Sequence, residues 1–558
     1  MGLRICLVTP FSWSQPHEVN EHAAAVAREL RGLGHTVTVL APSNRADDLR
    51  EGRKALQREL LPDVVALGPA LPISRRSAMG VTVGARANLA LALSLGGFDV
   101  VHGFEPGLPS LSYLALREAP GLSVATFFSS ERLAYPLGKA QRDRLLARVD
   151  ALIATTPEVA EAARLRFPGD FRVIARGVDT GLFRPAAKEQ RIVLEWDPTE
   201  RPTARAAIRA LDDLPGWDLI LLRTRAFSGR PTIPRRLRDR IRVRTARDPA
   251  ARAAVLTPAS IFVPAADGSP GLRLEAVASG AAVAAPEELE TLAADPRRAA
   301  GTATVESYAD VAAELDRLYR RLAGRKRSAA AEPALYDRDW ILCDLHMHTS
   351  WSHDCAVPVD DLLDYAEEQG LGAIAVTDHN AFGGALEAVE KARGRNLLVI
   401  PGEEIKTDRQ GEVIGLFLTE EIPRGLSFAD TLAAIRAQGG LVYLPHPFDR
   451  RHAIPDPATV HRHLAEIDVF EVYNARLLFE TYNDEALRFA RKYNLTMGAG
   501  SDAHVLPGVG TGAMSMRAFR NAEEFMISLH SAQVLRRPKS LAYLQSLKWM
   551  AQVKEKVL

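Results

Sequence analysis

Ten of the chain's 14 histidines lie beyond residue 340, and several stand where an apolar run stops. WILCDLHMH ends in His346 and His348. Residues two apart on a strand face the same side, so these two imidazoles can grip one cation. The arrangement recurs along the chain. AIAVTDHN ends in Asp378 and His379, LLVIPGEEI in Glu403 and Glu404, and GLVYLPHP in His446. DVFEVYN ends in Glu471 and Asn474, LTMGAGSDAH in Asp502 and His504, and SHDC adds Asp354. Any one of these residues alone reads equally well as a cap or a surface side chain. Together they describe a cluster, because the strand ends of a β/α barrel meet at one mouth. Mixed imidazole and carboxylate donors suit divalent ions such as zinc, manganese or iron, and such clusters activate water. Glu403 and Glu404 are strand neighbours that face opposite ways, so only one should enter. Arg450 and Arg451, just after PHPFD, offer forked donors for a phosphate. Cys355 borders the cluster, with nothing to mark it as a ligand.

Bringing those residues together requires alternating elements. LRICLVT (3–9), a helical pattern at 21–33 and TVTVLAP form a βαβ unit, and FRVIARGVD closes a first domain over 1–186. RIVLEW, WDLILLR, ASIFVPA and a helix near 307–323 make a second domain, 187–323. The fold class expected is α/β: two Rossmann-like doubly wound domains, then a barrel carrying the cluster. The basic, Ala-rich stretch 324–338 reads as a linker and 339–535 as the cluster-bearing domain. Residues 536–558 read as a C-terminal helix.

Composition narrows the function classes. With 47% hydrophobic and 25% charged residues the chain is globular, not disordered. Lys+Arg 70 against Asp+Glu 69 leaves a formal charge of +1, so no strong nucleic-acid signal is present. Three scattered cysteines, Cys6, Cys343 and Cys355, build no disulfide framework. No apolar run reaches the roughly 18–20 residues of a transmembrane segment, and the N-terminus lacks signal-peptide features. A cytoplasmic location is expected.

DLHMHTSWSHD, AVTDHN, PGEEI, PHP, EVYN and GSDAH resemble the PHP (polymerase and histidinol phosphatase) family over about 340–535. The resemblance implies a distorted (β/α)7 barrel and a metal-dependent phosphoesterase with two or three divalent ions. Carried over residue by residue, His346, His348, Glu404 and Asp502 hold a first ion. Glu404 bridges to a second ion at His446. Asp354, His379 and His504 hold a third. The family's G-x-E pattern favours Glu404 over Glu403. Some relatives place a histidine where Glu471 or Asn474 stands here. The implied nucleophile is water, with Arg450 as a phosphate-binding candidate.

Residues 1–322 resemble GT-B glycosyltransferases that mannosylate phosphoinositol lipids, through LRICLVTPFSWSQPHEVNEHAAAVAREL, DVVHGFEPGLPSLSYLALR and VIARGVDTGLFRP. The chemistry-bearing positions depart from the pattern. His17-Glu18 replace a Gly-Gly loop, and Phe128 replaces a histidine. Trp196 and Pro202 stand where donor-clamping cations belong, leaving Arg201 as substitute. In the E-x7-E donor segment Asp267 replaces the first glutamate and Glu275 keeps the second. This half is therefore expected to be a non-catalytic relative. The expected partner is a small phosphorylated substrate, sugar- or nucleotide-linked esters included. The alternatives are a bifunctional enzyme with an active glycosyltransferase half, and a non-catalytic metal-bearing binding protein.

Overall fold

Valine- and isoleucine-rich runs separated by amphipathic stretches favour buried parallel strands crossed by helices. The computed structural model has that architecture. It describes residues 2–74, 77–80, 85–197, 201–224, 232–265, 268–295, 305–325, 335–451 and 454–537. The chain divides into two units, Met1–Ala323 and Gly324–Leu558. Most of the expected linker and of the expected C-terminal helix lies outside the described residues, as does Asp267.

Two sheets build the first unit. In the larger, Arg4–Val8 lies between Thr36–Ser43 and Val100–Phe104 in an eight-stranded order that is parallel except for the edge strand Ser77–Gly80. The smaller sheet has five parallel strands, with Glu189–Glu195 between Asp218–Arg223 and Ala259–Val263. In each sheet the chain reverses direction of winding at that central strand, which opens a crevice at the strand's carboxyl end. The helix Tyr308–Ala323, expected to close the second domain, lies against the first. Its Tyr319 hydroxyl meets His102 Nδ1 at 2.6 Å, and its Asp316 Oδ1 meets His35 Nε2 at 2.8 Å. Its buried stripe, Val311, Leu315, Leu318 and Leu322, has the spacing that seats a helix on such a surface.

In the second unit nine strands form one sheet, and seven of them run around the barrel. In spatial order these are Trp340–Met347, Leu371–Val376, Leu398–Lys406, Glu412–Leu416, Leu441–Leu444, Val469–Asn474 and Thr496–Gly500. Closure joins the last to the first: Asp502 N–H donates to His346 O at 2.7 Å, and His348 N–H to Ala503 O at 3.1 Å. Gly500 permits the approach, since a Cβ there would lie 2.3 Å from His346 Cβ. The distortion is one reversed strand. Glu412–Leu416 runs antiparallel to both neighbours and so brings its first residue, not its last, to the mouth.

Candidate functional site

On Trp340–Met347 and the residue after it, Asp344, His346 and His348 share one face by strand alternation. Asp344 lies beneath as a tie. Its carboxylate accepts from Ser501 N–H and Gly510 N–H at 2.9 Å each. Through these bonds one buried side chain fixes the strand that carries the histidines to the segment that carries Asp502. Asp344 itself is fully buried, which raises its pKa to about 6 despite those donors.

Glu404 lies at the centre. Its Oε2 is 3.3 Å from His346 Nε2, 3.4 Å from His348 Nε2 and 3.1 Å from His379 Nδ1, and its Oε1 is 3.0 Å from His446 Nε2. Asp502 Oδ1 is 3.4 Å from His348 Nε2, and Asp354 Oδ2 is 3.0 Å from His504 Nε2. Three overlapping triads keep all their donor atoms within 4.8 Å: His346/His348/Asp502, His346/Glu404/His446 and His348/His379/His504. Glu403 turns the other way and accepts from Ile422 N–H at 2.9 Å; burial raises its pKa to about 7. His446 and Asp502 hold left-handed backbone, φ 25° and 51°. For non-glycine residues that costs roughly 1–3 kcal/mol each and persists only where the surroundings impose it.

A second layer fixes which nitrogen of each ring faces inward. His346 Nδ1–H donates to Glu471 Oε1 at 3.2 Å, and Tyr443 OH donates to the same oxygen at 2.8 Å. His348 Nδ1–H donates to Ser352 Oγ at 3.1 Å, and Ser352 donates to Asp378 Oδ1 at 2.7 Å. Asp378 also accepts from the main chain and hydroxyl of Thr349 at 2.7 Å each. The outcome is most pronounced at His348. Its Nε2 is buried and lies 3.4 Å from one oxygen each of Glu404 and Asp502. With the ring hydrogen on Nδ1, that nitrogen presents a lone pair between two carboxylates, a contact that a bound cation would satisfy, so the donor set fits a metal.

The electrostatics agree. Burial disfavours charged His379 and His446, but Glu404 and neighbouring carboxylates override it and raise both pKa values to about 9. His348 moves the opposite way, held well below its usual value by burial and by His504 and His379. Asp502 is held low against burial by Arg476 and His346.

Two residues at the cluster were not anticipated from sequence. Glu412 places Oε2 3.9 Å from His446 Nε2, with its pKa raised by burial and then by Glu404. Arg476 donates from Nη1 to Asp502 Oδ1 at 3.1 Å. Arg450 pairs through Nη2 with Glu485 at 3.1 Å and lies over the Tyr482 ring. Arg451 N–H bonds Asp449 Oδ1. Cys355 Sγ lies against the carbonyl oxygens of His348 and His504.

In the first unit the chain's own carboxylates meet the groups that would receive an anion. The helix Pro270–Ala278 directs its N-terminus at the crevice, and Glu195 Oε1 accepts from Ser269 N–H there at 3.0 Å. Glu18 Oε2 lies 3.0 Å from Arg176 Nη1 and 3.3 Å from Ser269 Oγ. Arg252 is bound at 2.7 Å by both Glu275 oxygens and by Glu21 Oε2. Glu21, Arg176, Arg252 and Glu275 line a cavity of about 320 Å³. Phe128 packs on the His22 ring at 5.0 Å, and Arg201 is exposed at the start of Arg201–Ala210.

Comparison with known proteins agrees with this division. The Glycosyltransferase Family 4 profile matches residues 19–182, the PHP domain profile 344–487 and the PHP-associated profile 480–534. An uncharacterized protein of Methanocaldococcus jannaschii is 39% identical over 171 residues, 30% of this chain and 67% of that protein. The phosphatidyl-myo-inositol mannosyltransferase of Mycolicibacterium smegmatis is 30% identical over 223 residues, 37% of this chain and 53% of that enzyme. The chain thus spans about half the length of that mannosyltransferase. A solved glycosyltransferase from Rickettsia africae aligns at TM-score 0.39 and 14% identity, over 57% of this chain and 98% of its own. Among the described residues, no helix is long and apolar enough to cross a membrane. A barrel closed around clustered imidazoles and carboxylates and matched across its length by the two PHP profiles makes the C-terminal unit a PHP domain with its PHP-associated segment, preceded in the chain by a Glycosyltransferase Family 4 domain.

Proposed function

We propose that this chain is a metal-dependent phosphoesterase that hydrolyses a phosphate monoester or diester with water as nucleophile. Its glycosyltransferase-like half is non-catalytic and binds or positions the substrate. The observation that carries the hydrolase assignment is the buried His348 Nε2 lone pair set against Glu404 and Asp502. His346, His348, Glu404 and Asp502 would hold a first ion. Glu404 and His446, with Glu412 beside them, would hold a second, and Asp354, His379 and His504 a third. Manganese, zinc and iron all suit these donors. When bound, such ions lower the pKa of water and neutralise charge on phosphoryl oxygens.

The protein's own contribution is orientation. Glu471 and Ser352 hold the Nδ1 protons of His346 and His348, so both rings present Nε2 inward. The Cys355 thiol is turned to main-chain carbonyls, which supports water rather than a side chain as nucleophile. The deciding experiment is hydrolysis of p-nitrophenyl phosphate and bis(p-nitrophenyl) phosphate by the full chain loaded with Mn²⁺, Zn²⁺ or Fe²⁺. Turnover that chelation abolishes and metal restores is the expected result. No turnover of either ester with any of the three ions would sink the assignment.

The non-catalytic reading of the first unit rests on Glu18 and Glu195, which already neutralise Arg176 and the helix N-terminus. UDP- and GDP-sugars are therefore expected to leave the melting temperature unchanged. A nucleotide-sugar-dependent rise that Glu275→Ala removes would favour the bifunctional alternative.

A further inference from the structure

Arg476 follows the strand Val469–Asn474, and its N–H donates to Asn474 Oδ1 at 3.0 Å. This side-chain-closed turn fixes where the arginine leaves the backbone. The Arg476 side chain is two-thirds covered, and its guanidinium lies among residues assigned above to cations. Its Nη1 is 3.1 Å from Asp502 Oδ1 and 3.2 Å from His504 Nε2, and its Nη2 is 3.9 Å from Asp354 Oδ2. His504 Nδ1 lies 3.0 Å from the Asp502 carbonyl oxygen, so in the neutral ring Nδ1 carries the hydrogen and Nε2 keeps the lone pair. That lone pair can accept an Arg476 N–H or bind a metal, but not both at once. Asp354 Oδ2 stands 3.0 Å from the same nitrogen. Two electron-rich atoms in such contact call for positive charge beside them, and Arg476 supplies it.

We propose that Arg476 is a resident cation at the position formed by Asp354, His379 and His504, and that it sets how many divalent ions the cluster holds. Two ions bind tightly at the Glu404-centred positions. A third enters only in exchange for the guanidinium, because a divalent ion and an arginine sharing Asp502 and His504 repel each other at short range. The inference rests on the metal-cluster assignment for the existence of the first two sites, not on which ester is hydrolysed.

The test is a Mn²⁺ titration of the chelator-stripped full chain, with free Mn²⁺ read by electron paramagnetic resonance and bound metal by elemental analysis. Wild type is expected to bind two ions tightly and a third more weakly. Arg476→Met, which keeps an unbranched stem but loses the guanidinium and its charge, should tighten the third at least tenfold. Arg476→Lys, which keeps a charge, should stay near wild type. Three equally tight ions in wild type overturn the proposal. So does a third site that Arg476→Met leaves unchanged or weakens, or that Arg476→Lys and Arg476→Met shift alike. These outcomes leave the hydrolase assignment standing. Failure of every variant to bind any Mn²⁺ overturns the proposal too, while the hydrolase assignment stands or falls on turnover with all three ions.

Discussion

Glu404→Ala is expected to abolish chelator-sensitive ester hydrolysis and strip the protein of most of its bound metal. One carboxylate here serves four imidazoles, with Oε2 within 3.4 Å of His346, His348 and His379 and Oε1 3.0 Å from His446. Removing it deletes the bridging donor and leaves several buried rings without their shared anion. Loss of a supporting partner alone costs roughly 10–100-fold in affinity or activity at metal sites, so the loss at Glu404 should exceed about 100-fold in kcat/KM. Glu404→Gln keeps the shape and removes the charge, and should fail in the same way. Glu403→Gln is the matched control. Its carboxyl sits one residue away, is fully buried, and faces Ile422 N–H on the other side of the strand. Metal content that survives Glu403→Gln but not Glu404→Gln is the expected pattern. Equal loss in both, by elemental analysis, would show that the central carboxylate is misassigned.

Metal loading should release protons, and pH should move the stripped and loaded proteins in opposite directions. In the metal-free chain the carboxylates around His379 and His446 hold their pKa values near 9 against the opposing effect of burial. Both are therefore charged at pH 7.5, whereas a coordinating imidazole must be neutral. His346 is raised in the same way, by Glu404, Asp502 and Glu471 against burial, so loading every position at that pH should expel protons from all three rings. The count is measurable by calorimetry in two buffers of different ionisation heat. For each ion that displaces one proton, apparent affinity rises about tenfold per pH unit up to about pH 9. Stability of the stripped protein changes the other way. A histidine whose folded pKa exceeds its unfolded value of about 6.5 stabilises fully below 6.5 and loses that contribution as pH rises through 9. Melting temperatures of stripped protein should thus fall between about pH 6.5 and 9, while the gap to loaded protein widens. A loading heat independent of buffer would contradict this account.

Much of the site could be read before any coordinates. Apolar runs ending in His, Asp or Glu announced strands with donors at their tips. Two-residue alternation put His346 beside His348 and parted Glu403 from Glu404, because side-chain direction along a strand is a local property. The α/β alternation that defines both sheets of the first unit is equally local.

The remainder depended on contacts between segments distant in sequence. Scanning strand ends could not find Glu412, which opens its strand and reaches the mouth because that strand runs backwards. Asp378, at a strand end like the donors, supports Ser352, and Arg450 has Glu485 as a partner that its place after PHPFD does not announce. The helix Tyr308–Ala323 followed the second sheet in sequence and packed on the first. In the first unit, Glu18 meets Arg176 across 158 positions of chain, and Glu195 meets Ser269 across 74. Residue pattern encodes which side chains share a face. Strand direction, barrel closure and the pairing of buried charges are settled by the lowest free energy of the whole chain, since a buried charge takes whatever partner the fold brings within reach.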